Sequence, residues 1–150
     1  MPDRVIRRLN GPRGSVLVAG AAIAAVHAGA YVSVDDGPVL PSGLDLLDRV
    51  VPLPVYAVLW GAAMLLAVGG AWRTAAGAQR DHLDAWGFGS LAGMLTLWGS
   101  TYLAGWGTSW FAGQPSRQWV FGVIYLAVAV MIGAAARMTN PGSAGPEVTA

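Results

Sequence analysis

The chain has 150 residues, of which 55% are hydrophobic and 11% charged, with a net charge of +1. Soluble domains carry about 25% charged residues, so this composition excludes intrinsic disorder, argues against a water-soluble globule and leaves no polyelectrolyte basis for nucleic-acid binding. The absence of cysteine removes disulfides, thiol catalysis and thiolate metal sites together.

Residues 1–13 hold Arg4, Arg7, Arg8 and Arg13 against Asp3, and Asn10-Gly11-Pro12 reads as a break before the apolar segment begins. A first span is expected over 15–34, which is free of charge and long enough to cross hydrocarbon. Gly20, Ala24 and Ala28 form a small-x-x-x-small series on it, a surface that lets a second helix come close in lipid. A basic start, an apolar run and Ala28-Gly29-Ala30 also fit a secretory signal cleaved before Tyr31. The apolar character continues through Val34, which favours an uncleaved helix.

Residues 35–49 form an acidic loop with Asp35, Asp36, Asp45 and Asp48. Within it Ser42-Gly43-Leu44-Asp45 resembles a capping box, and Leu44, Leu47 and Val51 share one face, so the segment is either a short interfacial helix or a solvated turn. A second span is expected over 52–72, opened by Pro52 and Pro54, which suit a first helical turn, and bounded by the belt residues Tyr56 and Trp72. Residues 73–84 form a polar connection. Its Asp81-His82-x-Asp84 is too small a ligand set for a metal and reads as solvated.

The third span, 86–106, sorts its side chains by size. Gly89, Gly93, Thr96, Ser100, Ala104 and Gly107 make one stripe, and Leu91, Leu95, Trp98, Tyr102 and Trp106 make another on the opposite side. Neither stripe is charged, so water did not choose the division. In hydrocarbon, close backbone approach at small residues is the means of packing, and the expectation is that this helix packs through its small side, tightest at Gly89-x-x-x-Gly93. Trp86 and Trp106 lie about 30 Å apart along a helix, the thickness of the hydrocarbon layer. Residues 107–118 read as a loop, with Trp110 and Phe111 resting at the interface. A fourth span is expected over 119–136, followed by a flexible tail over 139–150 rich in Gly, Pro and Ser.

Of the nine arginines, seven lie before the first span, in the second connection or just after the fourth span, leaving Arg49 and Arg117 for the other side. The positive-inside rule then puts both termini in the cytoplasm. His27 is the one strongly ionisable residue within a span, and such a residue raises proton relay, pore lining or haem ligation as hypotheses. The plainer reading is an imidazole bonded to a backbone carbonyl or to a hydroxyl on a neighbouring helix, because no second His, Asp or Glu falls within a span. His82 sits toward the opposite side of the membrane, which argues against a bis-histidine haem. Ser90, Thr96, Ser100 and Thr101 read as hydroxyls that satisfy their own helix or join two helices, in preference to lining a pore.

The segments LDRVVPLPVYAVLWGAAMLLAVGGAW and DAWGFGSLAGMLTLWGSTYLAGW, with the Arg-rich and Ala-rich bias, resemble the small four-span membrane proteins encoded by bacteriophages of actinobacteria, some described as holins. The resemblance spans roughly residues 44–138 in pattern and rests on a proline before a span and a tryptophan at its edge. Holins more often have a strongly charged C-terminal tail; here only Arg137 and Glu147 are charged. The sequence therefore predicts an all-α integral membrane protein, four transmembrane helices in a small bundle over 1–138, in the cytoplasmic membrane. No enzyme, cofactor or metal is expected. Its expected partners are the lipid bilayer, copies of itself in a homo-oligomer, and an unidentified membrane or envelope protein. A holin-like permeabiliser is the leading function. The alternatives are a non-lytic membrane adaptor and a small transporter or quinone-linked subunit that depends on His27.

Overall fold

The computed structural model describes residues 11–32, 51–72, 81–114 and 116–138. These form four helices, α1 (Gly11–Val32), α2 (Leu53–Ala71), α3 (Asp81–Phe111) and α4 (Gln118–Ala136), with no strand element among the described residues. The acidic loop with its interfacial helix or turn and the C-terminal tail lie outside the described residues.

Three helices are long and apolar enough to cross a membrane, over Pro12–Val32, Pro54–Ala71 and Gln118–Ala136. α3 is not among them, although four spans were expected from the sequence. Its sequence holds Gly, Ser, Thr, Trp and Tyr where the other three hold Ile or Val, which lowers its hydropathy. It is also the longest helix, about 46 Å at 1.5 Å per residue against about 28 to 33 Å for the others.

Helix boundaries differ from the sequence reading in three places. α1 starts at Gly11, so Gly11-Pro12 opens the helix and does not break it; Pro12 sits in the first turn, where its missing amide hydrogen costs no bond. Asp81, His82 and Asp84, expected in a loop, form the first turn of α3. At the far end α3 runs on to Phe111. Thr108 and Ser109, which a sequence reading assigns to a loop, return their hydroxyls to the carbonyl of Gly105 and so remain helical.

Successive helices run antiparallel. Arg13 at the start of α1 meets both Asp84 at the start of α3 and the carbonyl of Met138 just past α4, and Gly70 near the end of α2 lies against the backbone of Asp84. The opposite half of the bundle gathers Tyr31, Tyr56 and Trp98. The order in space follows the chain, α1 on α2, α2 on α3 and α3 on α4, while α1 meets α3 and α4 only lightly.

The interior corrects the expected packing of α3. Leu91, Leu95 and Trp98 are buried, together with Leu17 and Trp60 from α1 and α2. Gly89, Gly93, Thr96, Ser100 and Ala104 are exposed, and a Cβ placed on Gly89, Gly93 or Gly107 would meet nothing within 4 Å among the described residues. The large stripe is inside because four helices leave a central space that only Trp- and Leu-sized side chains fill. Close approach occurs at other glycines. A Cβ on Gly87 would lie 3.1 Å from the carbonyl of Leu66 on α2, and one on Gly99 would lie 3.0 Å from the carbonyl of Gly122 on α4. On α1, Gly20 and Ala24 are buried, Gly20 against Leu91, and Ala28 is partly buried.

Candidate functional site

His27 lies about one turn before Tyr31, near the end of α1, and its ring is tied in three directions. Nδ1 is 2.8 Å from the carbonyl of Ile23, one turn back on the same helix, and Nε2 is 2.7 Å from the hydroxyl of Tyr125 on α4. A carbonyl can only accept, so Nδ1 donates to it; in the neutral ring Nε2 is then the acceptor and the Tyr125 hydroxyl donates. The face of the imidazole stacks on the indole of Trp60 from α2, with centroids 4.4 Å apart and planes 24° from parallel.

This ring is one edge of a polar aromatic cluster to which all four helices contribute. Trp98 on α3 donates its indole hydrogen to the Tyr31 hydroxyl at 3.0 Å. The Trp98 ring also takes Trp60 and Tyr56 edge to face, at 5.5 and 5.3 Å. Tyr102 stacks on Tyr125 at 5.5 Å, carrying the contact from α3 to α4. Aromatic pairs of this geometry contribute about 0.5–1.5 kcal/mol each beyond their buried area. The indole hydrogen of the fully buried Trp60 has no hydrogen-bond acceptor among the described residues.

A second polar node sits at the opposite end. Arg13 pairs with Asp84 at 2.8 Å, donates to the Met138 carbonyl at 3.1 Å and lies over the Phe88 ring at 5.4 Å. One guanidinium thus joins α1, α3 and α4. Removing either charge strands the other in a largely enclosed place, the situation in which an ion pair matters most.

The two nodes are not brought together. His27 and the exposed His82 stand at opposite ends of the bundle, and the Asp84 carboxylate of the Asp81-His82-x-Asp84 sequence is engaged by Arg13. The hydroxyls of Ser90, Thr96 and Thr101 bond to the carbonyls of Gly87, Ala92 and Trp98 on their own helix. Chemically, the His27–Tyr125 contact can pass a proton between ring nitrogen and phenol; its first action in the fold is to tie α1 to α4.

Sequence reasoning singled out His27 but missed Tyr125, Trp60 and the Arg13–Asp84 pair. A usable signal exists for Tyr125: it and His27 both stand about four turns from the Arg13–Met138 end, so they share a depth. Comparison of the chain with protein-family models, with curated protein sequences and with solved structures finds no match.

Proposed function

We propose that this chain is a protein of the cytoplasmic membrane whose four helices all cross the bilayer, with both termini on the cytoplasmic side, and that it acts without catalysis, through lateral association of copies into a holin-like permeabiliser. The observation that carries this reading is the outward small face of α3. Gly89 and Gly93 are open on a helix whose large side chains are turned inward. In lipid, such a face is where another helix can approach. The crossing of α3 is supported by connectivity: α2 ends at the Arg13–Asp84 side and α4 begins at the other, so a chain in which both cross carries α3 across between them. Arg13 and Arg137 stand at the same end, in keeping with the excess of arginine expected inside.

The test is induced expression with continuous recording of membrane potential. The proposal expects an abrupt collapse after a delay and passage of a cytoplasmic muralytic enzyme, with Gly93→Leu postponing or abolishing both. Undisturbed growth while the protein accumulates in membranes removes the permeabiliser and leaves the adaptor. A second reading, a small transporter or quinone-linked subunit, is favoured by the His27–Tyr125 contact. Under that reading His27→Phe abolishes a transport or electron-transfer phenotype while leaving the protein in the membrane.

A further inference from the structure

The α1–α4 seam is unlike the other seams of the bundle. Between Arg13 bonded to Met138 at one end and His27 bonded to Tyr125 at the other, a distance of about 21 Å along α1, the helices stand apart around an apolar cleft of about 240 Å³. Ala19, Gly20 and Ile23 line one wall, and Val128, Met131 and Ile132 the other. Both ends are closed by hydrogen bonds, so the cleft opens sideways, between two helices that are each long and apolar enough to span a membrane.

We infer that this cleft holds one acyl chain of a membrane phospholipid, which completes the α1–α4 seam. The inference rests on the membrane reading above. Size selects the occupant: a helix is about 10–12 Å across with its side chains, far too wide for this cleft, whereas a polymethylene chain is narrow and needs no polar partner. Water has no acceptor or donor to meet on these walls. Charge is complementary at the Arg13 end. Asp84 engages Arg13 there, and the exposed Arg137, one residue before the carbonyl that Arg13 holds, is placed to face a lipid phosphate. The lipid then fills the space that α1 and α4 do not fill themselves.

Native mass spectrometry of the protein extracted from membranes in mild detergent tests this. The wild type is expected to keep one phospholipid through delipidating washes. Ala19→Phe, which fills the cleft from an exposed position, lowers the retained fraction about tenfold by displacing buried methylenes, while Ala127→Phe, also exposed, on α4 and outside the cleft lining, leaves it unchanged. A mid-chain photoreactive phospholipid crosslinks to the segments around Ala19 and Val128 in the wild type and loses those crosslinks in Ala19→Phe. Equal retention in Ala19→Phe and wild type, no retained lipid in the wild type, or a retained second copy in place of lipid overturns the inference. Failure of the wild type to sediment with membranes overturns the membrane reading instead.

Discussion

Gly87 and Gly99 of α3 face the backbones of α2 and α4, while Gly89 and Gly93 of the same helix face nothing among the described residues. The first pair is needed because the neighbouring main chain occupies the space a Cβ would take; the second pair is under no such demand from its own fold. Small residues at helical spacing therefore mark where a helix can be approached, and the direction of the large residues decides whether the approach comes from inside the chain or from outside it.

This difference is broken most sharply by adding bulk to each set. Gly99→Leu drives a side chain into Leu126 and the Gly122 carbonyl and is expected to cost about 3 kcal/mol or to prevent accumulation altogether, read from thermal unfolding in detergent. Asp84→Asn leaves Arg13 without its counter-charge; because the Arg13 side chain keeps 21% of its exposure, a loss of about 2 kcal/mol is expected by the same assay. Tyr125→Phe removes the donor to His27 and is expected to cost about 1 kcal/mol. Gly93→Leu is the smallest, within about 0.5 kcal/mol for the isolated chain. Its effect is on association: the detergent-extracted particle becomes smaller on size-exclusion chromatography with light scattering.

Three spans and the helical class were legible because unbroken apolar runs of this length have few other uses. The ends of α3 were not legible, since Asp84 reads as a loop residue until Arg13 is seen beside it. The inner face of α3 was misread for a different reason. Its two stripes are both uncharged, and a single helix carries no information on which side its neighbours lie. Gly99 and Gly122 carried no signal apart from other glycines, as each is exposed as a contact only by the helix opposite. In the polar cluster, His27 stands out as a charge-capable residue in an apolar run, while nothing in the sequence sets Tyr125 and Trp60 apart from the other aromatics of the spans.

The native chain lacks cysteine, so the orientation of α3 can be read from single-cysteine variants oxidised in native membranes. The account predicts disulfide-linked dimers from Gly89→Cys and Gly93→Cys, where the face is open, and none from Leu91→Cys or Leu95→Cys, which are buried. Dimers formed through position 91 or 95, with none through 89 or 93, would contradict it.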